Sequence, residues 1–340
     1  MCGIVGWVNP ERDKPVGVEA LGRMLAMIRH RGPDAFGAYT GDGVGLGSAR
    51  LSIIDLEGGR QPIANEDGTV WIVYNGEVYN YVELRAELEA AGHRFTTRSD
   101  TEVIVHLYEE CGASFVDRLN GQFALALWDR REGALILARD RFGIRPLYYA
   151  VSRGRFLFAS EIKALLTVPG VSAEIDPHAL AQVLTFWTTL SPRSAFRGIR
   201  SIPPGHTLRL VDGHVTLRRY WAPDFTEEER PGRTVDDAAH ELFALLVEAT
   251  RLRLRADVPV GAYLSGGLDS STIAALIRLY TERRLCTFGI GFSEPAFDET
   301  PHQERMSAFL GTEHRAIRCT ADDLGAAFPD VVWHAEMPLL

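Results

Sequence analysis

Apolar and polar positions give the chain two textures. Through about Arg209 the apolar residues fall in strand-sized runs bounded by Gly, Asp or Arg clusters: Val70–Val73, Gln122–Trp128, Ala134–Ala138, Leu147–Val151 and Arg155–Ala159. Helical spacing separates them. Asn80-Tyr81-Val82-Glu83 has the form of a capping box, with Gly92 as a stop. Asp100 precedes a second helical run, Thr101–Cys111, closed by Gly112. Paired strands with a few helices predict a layered α+β domain over residues 2–209. From Val211 to Asp237 the pattern loses its core-forming positions. Mixed charges, Pro223, Pro231 and the Glu227–Glu229 run predict a linker over 210–235. Beyond it an amphipathic run, Ala238–Leu254, leads into strand Val258–Leu264, a glycine turn, helix Ser270–Tyr280, strand Leu285–Ile290 and helix Thr300–Leu310. That alternation predicts an α/β domain with a parallel sheet over 236–340.

Composition narrows the function classes. A length of 340 residues fits two domains, and 46% hydrophobic with 24% charged residues places the chain among globular proteins. The net charge of −9 argues against a nucleic-acid partner, because phosphate binding needs a concentrated positive field. Apolar runs such as Phe123–Trp128 fall far short of the ~18 residues of a membrane span, so no membrane partner is expected. Cys2, Cys111, Cys286 and Cys319 are too sparse for a disulfide framework, and they form no CxxC pair, which argues against a thiolate zinc site. The N-terminal residues lack a basic region followed by a long apolar one, so a cytoplasmic location is expected. Gly41, Gly43, Gly45 and Gly47 miss the dinucleotide-binding spacing and predict a loop or hairpin.

Two places carry candidate chemistry. Cys2 directly follows Met1. Removal of Met1 would leave a thiol and an α-amine on one residue, with ordinary pKa values near ~8.5 and ~8, so nucleophile and base would sit together. The plainer alternative is a small apolar residue opening a strand at Gly3–Val8. Asn75-Gly76 taken alone is a hairpin-turn signal, Asp100 fits a helix cap, and Arg50 offers a planar fork suited to a carboxylate. The second place is Ser265-Gly266-Gly267-Leu268-Asp269-Ser270-Ser271, which follows a strand run and opens a helix. Successive backbone N–H groups and the helix dipole favour an anion there, and Asp269 is a candidate Mg²⁺ ligand. A plain strand–turn–helix joint capped by Ser270 is the alternative. No GxxxxGK[ST] motif occurs, so P-loop phosphoryl transfer has no support.

Six segments, in order, resemble the glutaminase domain of class II glutamine amidotransferases, which are N-terminal-nucleophile hydrolases. They are Met1-Cys2-Gly3-Ile4-Val5-Gly6, His30-Arg31-Gly32-Pro33-Asp34, Arg50-Leu51-Ser52-Ile53-Ile54-Asp55, Tyr74-Asn75-Gly76-Glu77, Arg98-Ser99-Asp100-Thr101-Glu102 and the run from Arg139 to Tyr148. The resemblance implies that Cys2 attacks the glutamine amide and that the Asn75 side chain and the Gly76 N–H hold the oxyanion. It implies glutamine contacts from Arg50, Leu51, Ser52, Ile53, Ile54, Asn75, Gly76, Glu77 and Asp100. Arg50 would meet the carboxylate and Asp100 the ammonium, with Glu77 as helper. His30–Asp34 is expected to be scaffolding.

The Ser265–Ser271 loop resembles that of ATP pyrophosphatases. This implies ATP contacts from Leu264, Ser265, Gly266, Gly267, Asp269, Ser270, Ser271 and Ile290, with Mg²⁺ at Asp269. The two halves together resemble the glutamine-hydrolysing asparagine synthetase family. That family's activity implies glutamine, aspartate and ATP as substrates, with asparagine, glutamate, AMP and pyrophosphate as products. Another carboxylic acid as acceptor, or a non-catalytic fragment that binds glutamine or nucleotide, stands as the alternative. Synthetase domains of this family run well past the equivalent of Leu340, so a fragment is expected. The oligomeric state stays open, a homodimer being one option.

Overall fold

The computed structural model describes residues 1–9, 11, 14–226, 232–280 and 285–338. The Glu227–Glu229 run and Pro231 of the expected linker lie outside the described residues. The chain forms two compact units, Met1–Asp224 with Ala335–Leu340, and Phe225–His334. Among the described residues no helix is long and apolar enough to cross a membrane.

In chain order the first unit contains β1 (Gly3–Val8), α1 (Val18–Met27), β2 (Ala35–Gly41), β3 (Val44–Arg50), β4 (Ile63–Ala64), β5 (Val70–Val78), α2 (Tyr81–Ala90), α3 (Asp100–Cys111), β6 (Gly121–Asp129) and β7 (Ala134–Arg139). It continues with β8 (Tyr148–Ser152), β9 (Arg155–Ala159), α4 (Ile162–Leu166), α5 (Pro177–Phe186), β10 (Ile199–Ser201), β11 (His206–Val211) and β12 (His214–Arg219). One sheet has the order β10-β8-β9-β1-β3-β2 and the other β12-β11-β7-β6-β5-β4. Strand alternation explains how they layer. In β6, Ala124, Ala126 and Trp128 pack with Ile4, Val44, Leu46 and Phe158 of the other sheet. Phe123, Leu125 and Leu127 point the opposite way, against Leu84, Leu88, Val103 and Ile104 of α2 and α3. In β1, Val5 and Trp7 meet Leu21 and Met24 of α1 and Ile162 of α4. Helices therefore cover the outer face of each sheet, and the sheets share a core between them. Burial on both faces is why these strands read as near-continuous apolar runs.

Several expectations are corrected. Asn80 stands before α2 without capping it. Its side chain instead accepts from Asn120 N (2.9 Å) and donates to Arg118 O (3.0 Å), joining the loop before β6. Asp100 is the first residue of α3 rather than its cap; Ser99 Oγ takes that place, accepting from Thr101 N at 3.2 Å. The alternating glycines, by contrast, form a hairpin as expected, β2–β3, turning at Asp42 (φ 52°) and Gly43 (φ 72°). The first part of the expected linker is also structured. β11 and β12 pair from His206↔Arg219 to Val211↔His214, and the unit runs on to Asp224. β12 is exposed along its whole length, so no apolar alternation marked it.

The second unit contains α6 (Val235–Arg253), β13 (Gly261–Tyr263), α7 (Leu268–Tyr280), β14 (Cys286–Phe292), α8 (Thr300–Leu310), β15 (Glu313–Cys319) and α9 (Ala321–Ala335), the last ending at the unit's edge. Its strands are parallel in the order β13-β14-β15. Leu264, Ala274, Ile277 and Leu285 form its small core.

Ser99→Ala should lower the unfolding free energy of the first unit by about 1 kcal/mol, the usual worth of an N-cap. Urea denaturation followed by tryptophan fluorescence reads this, and an unchanged midpoint would contradict the cap assignment.

Candidate active site

Cys2 sits where β1 begins. The register Gly3↔Ala49 sets it beside the chain leaving β3. Its Sγ accepts from Leu51 N at 3.3 Å and lies 3.5 Å from Leu51 O. The Cys2 carbonyl accepts from Arg31 Nε at 2.9 Å. Arg31 pairs with Glu161 (2.7 Å), which also meets His30 (2.9 Å) and Lys163 (2.5 Å). Glu336 accepts from Ile162 N and Lys163 N at 2.5 and 2.7 Å and closes the network. Asp34 accepts from Ser52 N at 2.8 Å, so His30–Asp34 ties down both Cys2 and the loop over it. Burial pushes the Cys2 thiol above its ordinary range. Burial also holds the Met1 ammonium below its own, with Arg31 and Arg145 adding to the effect.

Asn75 and Gly76 lie in the middle of β5, opposite Ala124 and Phe123 of β6, so the hairpin-turn alternative is excluded. A Cβ at Gly76 would stand 2.2 Å from Gln122 O, a separation only glycine avoids. The Asn75 side chain is completely buried, and neither Nδ2 nor Oδ1 has a hydrogen-bond partner among the described residues. Asp100 is also buried, accepting from Val78 N at 3.0 Å and Tyr74 Oη at 3.1 Å. Burial raises its carboxyl, partly offset by these donors.

Arg50 departs from the expected free fork. Its Nη2 donates to Ile54 O and Asp55 O, both at 2.8 Å, and its Nη1 to Ser52 Oγ at 2.9 Å and Leu56 O at 3.1 Å. The guanidinium thus shapes the loop 51–56.

A cavity of about 220 Å³ brings together Cys2, Arg50, Leu51, Ile53, Ile54, Asn75, Gly76, Glu77 and Asp100. Ser52 does not line it; its polar groups turn to Asp34 and Arg50. The wall also includes Met1, Gln61, Tyr74, Ser99, Thr101 and Arg145, to none of which sequence reasoning gave a ligand role, though all but Gln61 lie inside the segments that carry the resemblance. Gln61 Oε1 accepts from Tyr74 N at 2.7 Å and has no local signature. Arg145 lies inside the Arg139–Tyr148 segment. It is 8% exposed, its Nε has no partner among the described residues, and its Nη1 touches the Met1 sulfur.

In the second unit, Ser265–Ser271 joins β13 to α7, at the carboxyl end of a parallel strand where α/β sheets bind ligands. Gly266 has φ +85°, and a Cβ there would lie 2.5 Å from His302 Cβ. Gly267 meets nothing closer than Ser265 Oγ at 3.4 Å, so the loop leaves the space a phosphate cradle needs. Ser265 Oγ and Ser270 Oγ are 2.9 Å apart and fold back on the loop, accepting from Gly267 N and Ser265 N. Asp269 lies in the first turn of α7, with Ser270 and Ser271 following it. Leu264 departs from expectation, its side chain buried in the core with Ala274 and Ile277. Ile290 is half exposed on β14. Asp298, in the loop after β14, accepts from Thr300 Oγ1 and N at the start of α8.

Layered antiparallel sheets with a cavity around Cys2 at the start of β1 are the arrangement of the N-terminal-nucleophile fold. The sequence profile of the glutamine amidotransferase domain family matches residues 1–221, and the chain belongs to that family. The asparagine synthase profile matches residues 241–340. Asparagine synthetase [glutamine-hydrolyzing] 1 of Bacillus subtilis is 38% identical, aligned over 100% of this chain and 53% of its own length. Amidase chry2 of Gibberella zeae is 35% identical, over 100% of this chain and 54% of its own. The chain therefore spans about half the length of the curated relatives it matches. A solved structure described as the allosteric regulatory enzyme of purine biosynthesis shares the fold, with a TM-score of 0.50 and 17% identity over 99% of this chain and 89% of that one.

The raised thiol gives a pH prediction for protein that retains Met1. Its Cys2 should stay protonated at neutral pH, and alkylation by iodoacetamide should accelerate as pH rises past the ordinary thiol value of about 8.5. Mass spectrometry of the N-terminal peptide follows the rate; a plateau already reached at pH 7 would contradict the burial argument.

Proposed function

We propose that this polypeptide hydrolyses glutamine at Cys2 and passes the ammonia to a carboxylic acid activated by ATP, with aspartate as the acceptor and asparagine as the product. The observation that carries this reading is the buried, unpartnered Asn75 carboxamide lining the same cavity as the Cys2 thiol. In this mechanism, removal of Met1 exposes the Cys2 α-amine, which takes the thiol proton. The thiolate attacks the side-chain amide carbon of glutamine. Asn75 Nδ2 and the Gly76 N–H donate to the oxyanion, and ammonia leaves carrying the transferred proton. Water then cleaves the thioester to glutamate, with the amine as base.

The remaining contacts assign glutamine's charged ends. Asp100 takes the ammonium, with Glu77 beside it. Arg50 acts through the loop 51–56 that it braces, so the carboxylate is met at that loop and the arginine positions it. In the second unit Ser265, Gly266, Gly267, Ser270 and Ser271 hold ATP phosphates, Ile290 borders the nucleotide, and Leu264 supports the loop from the core. Asp269 would hold Mg²⁺, which offsets phosphate charge. Adenylation turns a poor electrophile into an acyl-adenylate that ammonia attacks. The domain boundary that goes with this reading lies near residue 224, and the enzyme works in the cytoplasm. The support is the pair of family matches together with the loop's geometry.

A second reading, amidation of a different carboxylic acid, is favoured by the 35% identity to amidases such as chry2.

Cys2→Ala should abolish glutamate release, and Asn75→Ala should lower kcat by about 10²–10³ with a smaller change in KM, as for loss of one oxyanion donor. Wild-type glutamate release by Cys2→Ala would overturn the nucleophile assignment. In the full-length polypeptide, exchange of labelled pyrophosphate into ATP should depend on aspartate and fall severely in Asp269→Ala. Exchange driven by another carboxylic acid and not by aspartate would support the second reading.

A further inference from the structure

Outside the glutamine cavity, two histidines converge with a glutamate on the opposite part of α3. His106 and Glu109 stand one turn apart on that helix and so share a face. His93 comes in from the loop that follows α2, fixed by its N–H to Leu88 O at 3.0 Å. Glu109 Oε2 lies 2.9 Å from His106 Nδ1 and 3.7 Å from His93 Nδ1. The imidazole centroids are 4.8 Å apart, and Phe95 closes one side with its ring 4.7 Å from that of His106.

We propose that His93, His106 and Glu109 bind one divalent transition-metal ion of the zinc class, through His93 Nδ1, His106 Nδ1 and Glu109 Oε2. With bonds of 2.0–2.1 Å a tetrahedral ion sets neighbouring ligand atoms about 3.3 Å apart. The two measured separations bracket that value, and the three residues offer ligand atoms within 4.8 Å of one another. Small rotations of the partly exposed His93 and Glu109 side chains complete the set.

The surroundings match what a ligating imidazole requires. A histidine that binds metal through Nδ1 carries its proton on Nε2 and presents it to a carboxylate. His93 Nε2 meets Glu110 Oε1 at 2.8 Å. His106 Nε2 is buried, makes no hydrogen bond among the described residues and faces Glu102 Oε1 at 3.9 Å. Glu102 is held in place by Thr96 and Thr97, whose N–H and hydroxyl groups donate to it at 2.6–2.8 Å. Asn65 Nδ2 donates to Glu109 Oε1 at 2.7 Å, which leaves Oε2 turned toward the imidazoles. Glu102, Glu109 and Glu110 thus surround two imidazoles, a charge imbalance that two protons or one divalent ion would relieve. The ion would also tie the end of α2 to the middle of α3, the helix whose first residue is Asp100. This proposal does not depend on the glutaminase reading.

The test uses the full chain, stripped with a chelator and then titrated with Zn²⁺ by calorimetry and with Co²⁺ by visible absorption. One equivalent of Zn²⁺ should bind and raise the melting temperature. The cobalt spectrum should be tetrahedral without the sulfur-to-metal band of a thiolate ligand. Because His106 is fully buried, the variants are His93→Ala and Glu109→Gln, each expected to weaken binding at least tenfold and to remove the melting shift. Absence of a saturable equivalent in the unmodified chain would show a hydrogen-bonded ion-pair network only. Equal affinity in both variants, or a thiolate band, would place the ion elsewhere. Each of these results overturns the proposal.

Discussion

A carboxamide sealed from water with no hydrogen-bond partner destabilises a protein by about 1–3 kcal/mol, and Asn75 stands in that condition. The rest of the first unit explains how it is kept there. β5 is paired with β6 along its whole length, and Gly76 permits the close approach to Gln122 that the pairing demands. Neighbouring side chains of β5 are committed to the two cores, Val73 to the one between the sheets and Tyr74 to the one under α2 and α3. The strand cannot turn or slip to satisfy the amide without exposing apolar surface. A donor fixed before any substrate arrives needs no reorganisation when charge develops in front of it, which is what an oxyanion site requires.

Cys2 is held by a different means. Its carbonyl hangs on Arg31, and Arg31 on a buried cluster of Glu161, Lys163 and Glu336. Buried ion pairs of this kind contribute little net stability because desolvation offsets the attraction. Their directionality fixes where the N-terminal residue lies. On the other side of the cavity, Arg50 spends its Nη donors on carbonyls of the loop 51–56 and so gives Leu51 a defined place against the thiol. Packing positions Asn75, and charge positions Cys2.

Much of this was legible in the residues, for identifiable reasons. β1, β9 and α8 have the bounds read from the chain, because alternation, Gly or Pro punctuation and burial agree there. Local signals failed where a partner distant in sequence competed. Asn75-Gly76 is a strong turn dipeptide when alone, yet nine residue pairs between β5 and β6 override it. Asn80 gave up its capping geometry to Asn120, and Ser99 took from Asp100 the cap that Asp100 fitted by composition. β12 escaped notice because every one of its residues is exposed. At the site, Cys2, Arg50 and Asp100, named by the resemblance, line one cavity. Tyr74 and Arg145 lie in segments that carry the resemblance but were given no role, and Gln61 reaches the cavity through chain folding with no spacing to mark it.

The central claim is that a freed Cys2 thiol faces the glutamine amide inside this cavity. Labelling with a diazo-ketone analogue of glutamine, followed by peptide mapping, tests it most directly. The account predicts a single adduct, on Cys2 of chains lacking Met1, suppressed by excess glutamine. An unmodified Cys2 in Met1-free chains, with label on Cys111, Cys286 or Cys319 instead, would contradict it.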